Sequence, residues 1–187
     1  MVSPIAAEKH GQTFDFLDVD GDGYLQRADF EAIAARLAAG ANAKDMAVVR
    51  AAYLQFWHSL SMHLGVDLDG RITRDEYIDG LDGVAKSSPH AFDLAIAQMP
   101  RAILALYDSD RDGMLSRKEF LAMQQALGVP DDRAKIAWLA IDRDADGMIR
   151  GEELLSACRE FVLSEDLHAP GNWLFGGLKP PKPRLYF

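Results

Sequence analysis

Apolar residues recur at helical spacing in eight stretches of the chain, joined by short acidic segments and by turns. The first stretch, about residues 5–17, sets Phe14 and Leu17 on one face. The second carries Phe30, Ile33 and Leu37, the i, i+3, i+7 spacing of one side of a helix. A longer stretch from Lys44 to His63 presents Val49, Tyr53, Phe56, Trp57 and Leu60, and the next carries Tyr77, Ile78 and Leu81. Ser87, Ser88 and Pro89 punctuate the chain and divide residues 1–86 from residues 87–164. Beyond them, Phe92 to Tyr107 predicts one helix, and Phe120 to Leu127 a second that stops at Gly128. Asp131 or Asp132 is expected to cap a third, which turns Ile136, Leu139 and Ile141 inward; Leu154, Leu155, Cys158, Phe161 and Val162 line the last. The pattern predicts an all-α fold of helix–loop–helix units paired into two lobes. Residues 165–187 lie outside it, with Trp173, Leu174 and Phe175 available to pack between the lobes. The cationic end LKPPKPRLYF reads as an extended tail, its alternative being a polyproline II ligand.

The acidic connections are four copies of one twelve-residue pattern: DVDGDGYLQRAD from Asp18, GVDLDGRITRDE from Gly65, DSDRDGMLSRKE from Asp108 and DRDADGMIRGEE from Asp142. A hard cation the size of calcium takes about six to eight oxygens, which such a loop offers from positions 1, 3, 5, 7, 9 and 12. Position 6 must turn sharply and is Gly23, Gly70, Gly113 or Gly147. Position 8 is apolar in every copy (Leu25, Ile72, Leu115, Ile149), as required if paired loops join through a short strand anchored in the core.

The four loops are not equivalent. The third offers Asp108, Asp110, Asp112 and Glu119 with the Met114 carbonyl at position 7; the fourth offers Asp142, Asp144, Asp146 and Glu153 with that of Met148. At position 9, Ser116 can hold a water in the third loop, whereas Arg150 leaves that water without a side-chain partner in the fourth. The first loop supplies Asp18, Asp20, Asp22 and the Tyr24 carbonyl but ends in Asp29, one methylene short of Glu. That favours the six-coordinate geometry of magnesium and predicts a mixed calcium/magnesium site. The second loop keeps Asp67, Asp69 and Glu76 but has Gly65 where the first acid belongs, so it is expected to be weak or empty, and Gly65→Asp is expected to complete it. Three calcium ions are therefore expected.

With 187 residues, nearly half of them apolar, the chain can bury a core. A formal net charge of −9 argues against nucleic acid or an anionic membrane as partner, and a single cysteine, Cys158, excludes an intrachain disulfide. The start, MVSPIAAEKHGQTF, has neither the basic nor the apolar run of a secretory signal, so a cytoplasmic monomer is expected. His58 and His63 stand five apart on one helix, the wrong spacing for a zinc pair, and Cys158 sits in an apolar stripe. No nucleophile elbow or phosphate-binding glycine loop appears, so an enzyme is not expected.

These loops are EF-hand loops. With a degraded second site, loop starts spaced by 47, 43 and 34 residues, Asp29 closing the first loop and NWLFG at 172–176, the chain resembles the calerythrin and sarcoplasmic calcium-binding protein family over about residues 5–178. The resemblance implies that hands one, three and four bind, that hand two is atypical, and that the protein is a cytosolic calcium buffer or transporter with calcium/magnesium exchange. Coelenterazine-binding photoproteins share the architecture, but His58, Trp57, Trp138 and Tyr107 are expected in the core rather than around a chromophore. The alternative is a calcium sensor that binds a target protein on loading. Sensors cluster methionines along a groove, whereas Met46, Met62, Met99, Met114, Met123 and Met148 are scattered here, so a protein target is not indicated.

Overall fold

The computed structural model of the chain describes residues 2–88 and 90–178. Helix α1 (Pro4–Leu17) starts where Ser3 Oγ accepts from the Ala6 N–H at 3.2 Å and Pro4 takes the first helical position, where its missing N–H costs nothing. The first loop contains β1 (Tyr24–Leu25) and leads into α2 (Arg27–Leu37). Asn42 caps α3 (Ala43–Leu64) by accepting from the Asp45 N–H at 3.0 Å, and loop two with β2 (Ile72–Thr73) leads into α4 (Arg74–Lys86). The second half runs through α5 (Ala91–Ala95), α6 (Gln98–Tyr107), β3 (Met114–Ser116), α7 (Arg117–Ala126), α8 (Asp131–Ile141), β4 (Met148–Arg150) and α9 (Gly151–Leu163) to one 3-10 turn, Pro170–Trp173.

Loops join in pairs through their strands. β1 and β2 are antiparallel with Leu25 opposite Ile72, and β3 and β4 with Leu115 opposite Ile149. All four position-8 side chains are fully buried, so each strand pair is anchored in the core by one residue of each strand. Burying each one contributes about 1.5–3 kcal/mol. A single core serves both halves: α3 packs on α6, and α9 packs on α1 and α4. Phe30 meets Phe56 and Trp57, Phe120 meets Trp138, and Phe175 lies between Phe16 of α1 and Phe161 of α9, with ring centroids 6.0 and 4.9 Å away.

Three expectations about the second half need correction. The stretch 92–107 is not one helix, because Pro100 has no N–H to give the Ile96 carbonyl. That carbonyl accepts instead from Met99 N–H at 3.1 Å, and the chain breaks at residues 96–97 between α5 and α6. On α8, neither Asp131 nor Asp132 is the cap; Pro130 holds that position and both acids lie in the first turn, where they favour the helix dipole. Ile136 and Leu139 point outward, 40% and 75% exposed, and the inward face is Ala134, Ala137, Trp138 and Ile141. The small alanines let α8 lie close against α7 and the 170–173 turn. The polyproline-like end, residues 179–187, and Pro89 of the linker lie outside the described residues.

α1 also reaches across the molecule with two fully buried polar side chains. Lys9 Nζ donates to the carbonyls of Ser164 (2.7 Å) and Glu160 (3.2 Å), filling the acceptor-rich end of α9. His10 places Nδ1 3.2 Å from the Ile78 carbonyl of α4 and Nε2 3.1 Å from the Val162 carbonyl of α9.

Candidate metal centres

Loops one, three and four share one set of internal hydrogen bonds that holds their carboxylates in place. The position-1 acid accepts from the position-6 glycine N–H: Gly23 to Asp18 Oδ2 at 3.1 Å, Gly113 to Asp108 Oδ2 at 2.9 Å, Gly147 to Asp142 Oδ2 at 3.2 Å. The position-3 acid accepts from the N–H of position 5, and the position-5 acid from that of position 7, so Asp22, Asp112 and Asp146 receive Tyr24, Met114 and Met148, each at 2.9 Å. The position-12 acid clamps both ends of its loop. Glu119 accepts from Ser109 and Ser116 N–H at 2.8 and 2.9 Å, and Glu153 from Arg143 and Arg150, both at 2.9 Å. Asp29 makes the same clamp on Val19 and Gln26, stretched to 3.3 Å at Val19.

The turn that permits this is left-handed: Gly23, Gly113 and Gly147 have φ of 83°, 85° and 82°, a conformation that glycine adopts at no steric cost. Position 4 is left-handed too, and Arg111 (φ 61°) and Ala145 (φ 55°) hold it without that freedom, at about 1–2 kcal/mol each.

The outcome is three groups of convergent oxygens: Asp18, Asp20 and Asp22; Asp108, Asp110 and Glu119; Asp142, Asp144 and Glu153, each with one carboxylate oxygen per residue within 4.8 Å of the others. Glu belongs to the second and third groups, whereas the shorter Asp29 is absent from the first. Asp112 and Asp146 stand beside their groups, turned to the N–H of position 7. Asp18 Oδ1 and Asp142 Oδ1 are buried without a hydrogen bond among the described residues. An orphaned carboxylate oxygen facing others is what a cation satisfies, so these donor sets fit a hard divalent ion.

The electrostatics follow from the same bonds. Ser109 and then Ser116 hold the Glu119 carboxyl down at about 2, so it stays ionised. Burial raises Asp29, with Asp20 and Asp18 adding repulsion. In loop four, the Met148 N–H and Arg150 lower Asp146.

Loop two is built differently. Gly70 is not left-handed, and its N–H donates to the Asp67 carbonyl at 2.8 Å. Gly65 is instead the left-handed residue that ends α3 (φ 67°), and Val66 N–H returns to the Ser61 carbonyl at 2.9 Å rather than to Glu76. Trp57 Nε1–H donates to the Leu68 carbonyl at 3.1 Å, pinning the loop to α3. Glu76 keeps only the position-9 end of its clamp, accepting from Thr73 N–H at 2.8 Å.

Trp57 and Trp138 are core residues and His58 is exposed, and burial pushes the Cys158 thiol up to about 12, that of a packed, inert side chain. Two features escaped the sequence reading: the position-2 N–H groups, which as backbone leave no trace in side-chain identity, and the ion pairs of Arg150.

Helix–loop–helix units whose loops converge carboxylates, joined in pairs by short antiparallel strands, define an EF-hand calcium-binding protein. The EF hand family model matches residues 11–34 and 101–124. Calerythrin of Saccharopolyspora erythraea is 28% identical over 86% of this chain and 94% of its own. The luciferin-binding protein of Renilla reniformis is 31% identical over 87% and 88% respectively. A Streptomyces coelicolor calcium-binding protein superposes with a TM-score of 0.72 at 26% identity, over 86% of this chain and 99% of that one. The chain belongs to the calerythrin and sarcoplasmic calcium-binding protein family of EF-hand proteins.

Proposed function

We propose that this protein is a cytosolic calcium buffer in which hands one, three and four each hold one ion and hand two holds none. The observation that carries the reading is the shared hydrogen-bond set, present in loops one, three and four and missing from loop two at every point but one. The ligands are the carboxylates of Asp18, Asp20, Asp22 and Asp29; Asp108, Asp110, Asp112 and Glu119; and Asp142, Asp144, Asp146 and Glu153, with the backbone carbonyls of Tyr24, Met114 and Met148. Loop one exchanges calcium with magnesium, a reading supported by the absence of Asp29 from its convergent group.

Buffer is favoured over sensor because the inter-lobe surface is covered from within: Phe175 fills the gap between α1 and α9, and Met123 is buried rather than presented. Isothermal titration tests the count. Three ions per chain are expected, and saturation at four tight ions would overturn the reading of loop two.

A second reading, carriage of a small apolar molecule, is favoured by a pocket of about 110 Å³ lined by Phe16, Tyr53, Phe56, Tyr77, Met123 and Phe161 among others. The Renilla relative is named for binding a luciferin. A void of about 150 Å³ accepts benzene, so this smaller pocket takes a single ring only if its side chains give way. Saturating benzene should raise the melting temperature of the calcium-loaded protein if the pocket is a ligand site; no shift removes this reading and leaves the buffer.

A further inference from the structure

Position 9 is a different residue in each of the three loops proposed to bind ions: Gln26, Ser116 and Arg150. In loop three Ser116 folds both its N–H and its hydroxyl onto Glu119, at 2.9 and 2.7 Å, and adds no charge. In loop one Gln26 donates its amide to Asp22 Oδ2 at 3.3 Å. In loop four the Arg150 N–H makes the ordinary clamp to Glu153, but the side chain turns back over the carboxylates. Its Nη1 donates to Asp144 Oδ2 at 2.8 Å, and its Nη2 pairs with Asp146 Oδ2.

Counting oxygens shows what that does. Asp144 Oδ1 already accepts from the Asp146 N–H at 3.2 Å, and Asp146 Oδ1 from the Met148 N–H at 2.9 Å. The remaining oxygen of each acid is the one Arg150 holds. A guanidinium, always charged and fork-shaped, therefore spans positions 3 and 5, which supply two of the acidic ligands. The equivalent oxygens of Asp110 and Asp112 in loop three have no cationic partner among the described residues.

The structure assigns Arg150 as an internal competitor for the fourth site, the residue that sets its affinity below that of the third. Calcium entering loop four displaces the guanidinium from both acids and then has a positive charge beside it. Calcium entering loop three meets neither cost. Two loops with the same four acids, joined strand to strand with Met114 opposite Arg150, thus fill in order, three before four. The inference rests on loop four being a calcium site.

The test is a calcium titration of the full-length protein followed by ¹H–¹⁵N spectra, reading loop three at the Gly113 amide and loop four at the Gly147 amide, whose N–H groups bond the position-1 acids. In the parent protein Gly113 should titrate first. Arg150→Ser should lower the calcium midpoint of Gly147 by about three- to tenfold and leave Gly113 within about twofold, the effect of removing one charge and one exposed bridging pair. Arg150→Lys, which cannot span both acids, should fall between. An unchanged Gly147 midpoint in Arg150→Ser, or Gly147 titrating ahead of Gly113 in the parent, overturns the assignment. Asp142→Ala separates the two layers: if it abolishes a Gly147 transition that Arg150→Ser leaves unmoved, the role of Arg150 alone is wrong. If no variant shows a Gly147 transition, loop four is not a calcium site and both readings fail.

Discussion

Asp29 and Glu119 hold the same two backbone N–H groups of their loops, yet only Glu119 also joins the convergent oxygens. One methylene decides between clamping the loop and clamping the loop while reaching the ion. Asp29→Glu is expected to raise the calcium-over-magnesium preference of site one several-fold, measured by competition titration following the Gly23 amide; an unchanged ratio would refute the ligand-length argument. Gly65 tests the opposite limit. From the sequence alone, Gly65→Asp completes a ligand set, but the residue is the left-handed end of α3 and Gly70 does not make the position-6 turn. The substitution is now expected to add no tight ion and to cost about 1 kcal/mol in urea unfolding. A fourth tight ion in that variant would show that the loop refolds around calcium. The ligand types were legible because side chains at fixed spacing carry that information. The geometry of loop two was not, because it goes with backbone and tertiary bonds, Gly70 N–H to the Asp67 carbonyl and Trp57 to the Leu68 carbonyl, that side-chain spacing does not announce.

Among elements, α1 carries a burden that the apolar pattern did not announce. Phe14, legible on its inner face, packs edge-on against Tyr77 of α4 with ring centroids 5.8 Å apart, but the buried side chains of Lys9 and His10 that also tie α1 to α4 and α9 are polar, and periodicity is blind to them. The same blindness misplaced α8, where Ile136 and Leu139 satisfy a helical stripe as well as Ala134 and Ala137 do and only the close approach of α7 chooses between them. His10 gives this arrangement a pH dependence. Burial lowers its pKa, opposed by the Val162 and Ile78 carbonyls and by Asp82, with Lys86 adding to the lowering. The unfolded chain therefore binds the proton more readily, so the contribution of neutral His10 is present above the ordinary histidine range near about 6.5 and is lost as pH falls below it. A neutral ring has one N–H for two carbonyls, which keeps the site poised. Urea midpoints of the calcium-loaded protein should fall between pH 7.5 and 5.5, and His10→Gln should flatten that slope; equal slopes in both proteins would remove His10 as the cause.

At the scale of the whole molecule the two hand pairs are not independent bodies. α3 on α6, α9 on α1 and α4, and Phe175 between α1 and α9 make one core, so the halves are expected to melt together. The position-8 side chains forecast the strand pairing within each half, whereas the contacts between halves depend on faces that no single repeat reveals. Each ion at about 1,000 times its dissociation constant stabilises the fold by about 4 kcal/mol, so three approach the whole stability of a typical domain, about 5–15 kcal/mol. Chelation should therefore lower the melting temperature by more than about 20 °C in a single calorimetric transition; two separated transitions would contradict the shared core. Calcium is expected to complete this core instead of opening it, which fluorescence of a hydrophobic dye during a calcium titration in millimolar magnesium reads out, with circular dichroism recorded on the same samples. A buffer gains helix while dye fluorescence stays flat or falls; a rise in dye binding by the well-folded, calcium-loaded protein would make it a sensor.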